Sequence, residues 1–286
     1  MMCMEDKNYK VVKVFNNNVV LALQAEEEKI LFGKGIGFGR HADDIITNTT
    51  AIDKIFAMQN PENLSKFNEL MNKVDAETVA ICEEIISFIA GEFKEELDEK
   101  IHISLTDHIS FTLKRLKEND EITNPFLIET ETLFRKEYEI ALRAVEILEK
   151  RTGVYIPDGE AGFIALHIHS ARNKGKLSNT IKYAFLSSSI TEMLEDELAI
   201  ELDKSSLDYA RFVVHLRFAI ERIMNNSPIK NDLLNTIKRK YKVSYKLAQK
   251  AAKIIENSLQ LKVAADEIGY IAIHVEKLRT YSKESQ

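Results

Sequence analysis

The sequence predicts a multidomain chain in which a small antiparallel β unit precedes two all-α helical bundles. Three observations carry that prediction. The first sixty or so residues alternate apolar and polar side chains between turn-rich breaks, as short strands do. The remainder spaces its apolar residues at intervals of three and four, the period of an amphipathic helix. That helical part also repeats itself.

In the β unit, "YKVVKVFNNNVVLALQAEEEKILFGKGIGFGR" is rich in valine and phenylalanine and is broken at "NNN" and "AEEEK". Gly33, Gly35, Gly37 and Gly39 alternate through "GKGIGFG", which reads as a strand opened by missing side chains, displaying Lys34, Ile36, Phe38 and Arg40. The spacing is neither GxGxxG nor a Walker loop, so a phosphate cradle is a poor reading. Two readings remain. Aromatic and basic groups side by side suit stacking on bases with phosphate contact; alternatively the strand twists sharply or packs tightly, with Phe38 in the core.

In the helical part, "ETVAICEEIISFIAGEF", "FLIETETLFRKEYEIALRAVEILEKRTG" and "SYKLAQKAAKIIENSL" carry the helical period. Gly153 stands where a C-cap would, and "IPDGEAGF" supplies the punctuation that starts the next helix. "GFIALHIHSAR" beginning at residue 162 recurs as "GYIAIHVEKLR" beginning at 269, an offset of 107 residues. The same offset places His108 on His215, Phe111 on Phe218, Arg115 on Arg222, Tyr138 on Tyr245, Glu149 on Glu256 and His167 on His274, without a gap. Two homologous modules in tandem follow, filling residues from about 70 to 286.

Composition excludes several classes. With 286 residues, 45% apolar and 29% charged, the chain has room for two or three ordered domains. No apolar run approaches the roughly 20 residues of a membrane span, and "MMCMEDKNYK" lacks the apolar core of a signal peptide, so a cytoplasmic location with no membrane insertion is expected. Cys3 and Cys82 form no zinc or CxxC spacing and read as unpaired thiols. A net charge of −6 argues against holding nucleic acid by bulk charge, so any such contact must be local. HExxH, paired carboxylates and G-x-S-x-G are all missing, and two equivalent histidine pairs do not resemble one active site. An enzyme, a metal site and a cofactor are therefore not expected.

A lone histidine on an apolar helix face is ordinarily a packed core residue. Repetition shifts that reading, because neighbouring apolar residues interchange (Phe163 with Tyr270, Leu166 with Ile273) while the histidines do not. Glu160 and Glu267 lie seven residues before His167 and His274, two turns away on the same face, either to orient a ring or to complement the helix dipole. His41, His102 and His169 have no repeat partner and read as bystanders; the last two fall on Tyr209 and Glu276. Asp107, whose counterpart is Val214, reads as a helix N-cap.

These residues carry a resemblance from end to end. "KVFNNNVV" and "GKGIGFGRHADDII", then "SLTDHISF" and "GEAGFIALHIHSA", then "VVHLRFAIER" and "DEIGYIAIHV", resemble the transcriptional antiterminators of the β-glucoside and sucrose type. "IHISLTDH", "NPFLIET" and "ALHIHSA" are most similar to the branch that regulates glucose permease genes. About nine residues before "KVVKVF" are extra to the pattern, and nothing in them assigns a role.

The resemblance implies a co-antiterminator RNA-binding domain at residues 1–62 and two phosphotransferase-system regulation domains at 70–177 and 178–286. It implies RNA contacts at Lys13, Asn18, Gly33, Lys34, Gly35 and Phe38, made by a homodimer on an antiterminator hairpin in a leader transcript. It implies reversible phosphorylation at His108, His167, His215 and His274. The donors would be a sugar-specific permease, acting on the first module against the active dimer, and the phosphocarrier HPr, acting on the second in its favour. A DNA-binding activator with the same regulation domains is the alternative, disfavoured because the N-terminal segment reads as β and not as helix-turn-helix.

Overall fold

The computed structural model describes residues 8–284 except Glu26 and Gln59, and omits the side chains of 281–284. Residues 1–7, which include Cys3 and most of the extra N-terminal segment, lie outside the described residues. Among the described residues five strands come first: β1 (Tyr9–Asn16), β2 (Val19–Gln24), β3 (Glu27–Phe32), β4 (Ile45–Ile46) and β5 (Lys54–Ala57). Eleven helices follow: α1 (Pro61–Met71), α2 (Ala76–Phe93), α3 (Ile101–Lys117), α4 (Leu127–Leu133), α5 (Arg135–Thr152), α6 (Asp158–Arg172), α7 (Leu177–Leu198), α8 (Leu207–Met224), α9 (Leu234–Lys240), α10 (Lys242–Leu259) and α11 (Ala265–Glu284). A small antiparallel β domain ahead of helical domains is what the sequence predicted.

The strands form one sheet in the order β4-β1-β2-β3-β5, every pairing antiparallel. Because side chains alternate across a strand, each face of β2 has its own core. Val19 and Leu21, with Phe15 and Ile30, meet Phe67 and Met71 of α1 and Val79 and Ala80 of α2. Val20 and Ala22, with Tyr9, Val11 and Leu31, pack under Ile36 and Ile46.

The glycine segment corrects the sequence reading. Residues 34–39 are a run of tight turns and not a strand. Ile36, Phe38 and Arg40 donate their N–H groups to the carbonyls of Gly33, Gly35 and Gly37 at 3.1–3.2 Å. Gly35 and Gly39 have φ of +73° and +67°, which glycine adopts without steric cost. At Gly33 and Gly37 the need is space, since a Cβ would lie 1.9 Å from the Ala51 carbonyl oxygen or 2.2 Å from that of Asn16. A second correction follows: Ile36 is buried against the sheet, whereas Phe38 is 75% exposed and so is not a core residue.

The helices divide between two compact units. One comprises Met1–Thr123 with Lys136–Leu177, the other Asn124–Arg135 with Ser178–Gln286. In the first, Ile85, Ile89, Leu105, Ile109, Ala144, Leu148, Ile164 and Ile168 form the bundle core. In the second, Ile190 and Leu194 of α7, one helical turn apart, meet Phe212, Leu216, Ala248, Ile255 and Ala272.

The 107-residue offset survives in detail. Glu149 accepts the N–H of Ile156 at 2.9 Å, and its counterpart Glu256 accepts that of Val263 at the same distance. Gly153 closes α5 with φ +69°, and Gln260 closes α10 with φ +55°. The stretch 126–153, read from sequence as one helical run, is instead two helices broken at Phe134. Its repeat breaks at Tyr241, the matching position. Beyond the break the modules part: α4 packs with the second unit, where the Tyr209 hydroxyl donates to Glu129 at 2.6 Å and Ser188 to the Pro125 carbonyl. Asp107 is not an N-cap. It lies exposed in the second turn of α3, which starts at Ile101 after Lys100 without a side-chain cap.

Candidate functional site

Two sets of residues were singled out by sequence, and each is gathered by a different local device. In the β domain the Asn17–Asn18 turn and the glycine turns are tied together. Asn18 accepts the Gly33 N–H through its carbonyl and the Gly35 N–H through its side chain, both at 3.0 Å, while Gly37 donates to Asn17. Asn18, Gly33, Lys34, Gly35 and Phe38 are thereby brought together at one end of the sheet, where the β1–β2 turn meets the chain leaving β3. Lys34 and Phe38 point to solvent there. Lys13 is not part of that group: its Nζ donates to the Met71 carbonyl and lies 5.5 Å from the Phe15 ring, on the sheet face covered by α1.

In each helical module the two repeat-matched histidines meet. His108 on α3 and His167 on α6 have ring centroids 5.1 Å apart, tilted by 34°. His215 on α8 and His274 on α11 are stacked at 4.1 Å and 14°. Sequence spacing gave the matches but not the encounters, which depend on how neighbouring helices cross.

Beneath each pair lies a repeated carboxylate and arginine. Glu160 binds Arg115 at 2.5 Å and Thr112 at 3.0 Å, and its Oε2 stands 3.2 Å from His108 Nε2. Burial works to raise the Glu160 carboxyl, but His108, Arg115 and Thr112 hold it below the ordinary carboxylate range. Glu267 is gripped by Arg222 through both oxygens, at 2.8 and 2.6 Å, and also accepts the Ile229 N–H. The question left open at Glu160 and Glu267 is thus decided in two ways. Glu160 faces the ring on the neighbouring helix and not the one on its own, whereas Glu267 belongs to Arg222.

The pairs also differ in access. His167 is 9% exposed, with Nδ1 at 3.2 Å from the Ser104 hydroxyl, whereas His215 is exposed on a cavity of about 350 Å³. Arg222, Tyr270 and His274 also line that cavity. Ser104 was missed from sequence because its counterpart, Arg211, shares none of its chemistry.

Two of the three unmatched histidines, His102 and His169, have structural partners for their rings. His102 is buried, with Nδ1 at 2.8–2.9 Å from both oxygens of the fully buried Glu83, and its ring lies edge-on to Phe56. His169 Nδ1 lies 3.1 Å from Glu137, which also binds Arg172 at 2.7 Å. In the second module Glu276 replaces His169 and itself binds Arg279 at 2.8 Å, while Ser244 replaces Glu137 and donates to Glu276. Each module keeps one carboxylate against its arginine, so one of the two positions is free to be histidine.

Burial first, then the neighbouring His108, pushes the His167 ring down to about 3 from 6.5. His274 is pushed down to about 4 by burial, then by His215 and Lys277. Both rings are neutral in the folded chain and protonate near 6.5 once unfolded. Their contribution to stability is complete above about pH 6.5 and declines as acid is added toward 4 and 3, by up to about 1.4 kcal/mol per pH unit for each ring. Replacing either with glutamine is expected to flatten the decline of urea-unfolding free energy between pH 6.5 and 4.5. An unchanged slope in both variants contradicts the neutral assignment.

Comparison with known proteins agrees with this anatomy. Residues 9–65 match the CAT RNA binding domain, and residues 83–171 and 188–278 each match the PRD domain. Transcription antiterminator LicT of Bacillus subtilis is 33% identical over 273 residues, covering 94% of this chain and 98% of LicT. The chain belongs to the CAT–PRD family of transcription antiterminators. The PtsGHI operon antiterminator of the same organism is 37% identical over 274 residues, spanning 95% of this antiterminator and 97% of the relative. A crystal structure of GlcT CAT-PRDI matches with a TM-score of 0.51 and 41% identity, over 58% of this antiterminator and 98% of that chain. The resemblance read from "GKGIGFGR" and the repeated histidine motifs is therefore correct. Among the described residues of this antiterminator, no helix is long and apolar enough to cross a membrane.

Proposed function

We propose that this chain, acting in the cytoplasm, binds an antiterminator hairpin in a nascent leader transcript and so prevents the terminator from forming ahead of sugar-transport genes. Residues 1–62 serve as the RNA-binding domain, and residues 70–177 and 178–286 as the regulation domains. RNA is held by Asn18 on base edges, by Phe38 through stacking, and by Lys34 and the Gly33 and Gly35 backbone on phosphate. Lys13, tied to Met71, contributes less than the resemblance implies. Two copies grip one hairpin, since a homodimer presents the same surface twice about its axis.

Control runs through phosphate on His108, His167, His215 and His274. A sugar-specific permease acts on the first module to oppose the active dimer, and HPr acts on the second to favour it. One observation carries this reading: both modules place their two matched histidines in ring contact, so charge added to either ring lands beside the other. Phosphate brings roughly −1.5 to −2 charges into that packing. Phe111 and Phe218, one helical turn beyond His108 and His215, are both exposed.

The alternative, a DNA-binding activator, finds no support in the described N-terminal residues, which form a sheet. Gel retardation decides between the two readings. The full chain is expected to shift an RNA hairpin with internal loops and to leave duplex DNA of matched sequence unshifted. Retention of the duplex with free passage of the hairpin reverses the assignment.

A further inference from the structure

The two modules share the Arg–Glu pair but not what the carboxylate faces. In the second, both oxygens of Glu267 are taken by Arg222. In the first, Arg115 binds Glu160 through Oε1 only, leaving Oε2 for Thr112 and for His108 Nε2 at 3.2 Å. That Nε2 is buried, although the His108 side chain as a whole keeps 20% of its surface exposed. A partner reaching this ring from outside does not reach Nε2 in this arrangement.

We propose that Glu160 is a positioning residue for phosphoryl transfer to His108, and that it directs phosphate to Nδ1. This rests on the reading of His108 as a phosphate acceptor. A carboxylate opposite Nε2 favours the tautomer that carries the ring proton there, which leaves the lone pair on Nδ1. The contact stands at ion-pair distance but is not aligned as a hydrogen bond, and such contacts tighten when the reacting partner docks.

In the transfer, the Nδ1 lone pair forms the new P–N bond while the bond between phosphorus and the phosphorylated side-chain atom of the donor protein breaks. The electron pair of the broken bond returns to that donor atom. The Nε2 proton stays in place, so the His108 ring becomes cationic as the bond forms, next to a carboxylate that also accepts hydrogen bonds from Arg115 and Thr112. Stabilising charge where it develops lowers the barrier. Glu267 is committed to Arg222, so the assignment applies to His108 alone.

The test is the full-length chain with ¹⁵N-labelled histidine rings, phosphorylated by purified phosphotransferase proteins and read by two-bond ¹H–¹⁵N NMR. The expected product carries phosphate on His108 Nδ1 and a proton on Nε2. Phosphate on His108 Nε2 overturns this inference while leaving the acceptor reading intact. No phosphate on His108, whether or not other rings are labelled, removes the acceptor reading there and this inference with it. Glu160→Gln is expected to slow labelling of His108 at least about tenfold and to shift its product toward Nε2, with Glu160→Asp restoring part of both. A Gln variant that is folded and gives the wild-type rate and isomer overturns the proposal. If that variant does not fold, the isomer in the wild-type chain decides.

Discussion

Phe38→Ala is expected to weaken binding of the RNA hairpin by about 1–3 kcal/mol for each base it stacks on, or roughly 5- to 150-fold. The loss counts twice where two copies share one hairpin. The fold should not register the change, because Phe38 is 75% exposed and belongs to no core cluster. Asn18→Ala is expected to act in the same direction by two routes. It removes an amide that reads bases, and it removes the acceptor that fixes Gly35 at 3.0 Å. Filter-binding titrations, with thermal unfolding of each variant alongside, separate lost contact from lost structure. Wild-type affinity in both variants means the RNA lies elsewhere.

The larger regulatory effect is expected at the repeated histidines. Incubation with phosphotransferase enzymes should place acid-labile phosphate on some of His108, His167, His215 and His274, detected by mass spectrometry at neutral pH. His102 and His169 should remain unlabelled, since neither has a histidine at the matching position of the other module. Alanine at His108 or His167 is expected to leave the antiterminator active when sugar is absent, because the inhibitory charge can no longer be added. Aspartate at either position should lower activity by supplying part of that charge. His108 and His215 should label faster than His167, which must leave its contact with Ser104 before a donor can reach it. Phosphate mainly on His102 or His169 shows that the repeat preserves packing and not chemistry.

How much was legible in advance depended on range along the chain. The strands broken at "NNN" and "AEEEK", the helical period and the 107-residue repeat are local patterns or comparisons of the chain with itself, and apart from the break at Phe134 the structure keeps them. The capping role of Gly153 is equally local, since a left-handed residue after a helix is decided within one turn. The error at "GKGIGFG" was also local in origin. Alternation at period two signals a strand only when every residue can extend, and glycines at φ of +73° and +67° curl the chain back on itself. Asp107 failed as a cap for a related reason, because α3 begins more than a turn earlier, at Ile101, after a residue with no capping side chain.

By itself the sequence determined which histidines are equivalent, that a β unit precedes two helical modules, and which family the motifs belong to. Only the tertiary structure decided which groups meet. His108 with His167, and His215 with His274, lie far apart along the chain and come into contact because neighbouring helices bring them together, and no periodicity encodes that crossing. It likewise decided that Glu160 faces a histidine while its equivalent Glu267 does not. Two identical residue types at matched positions differ there by how an arginine shares its hydrogen bonds: Arg115 divides its guanidinium between Glu160 and the Asp120 carbonyl, whereas Arg222 gives two donors to Glu267.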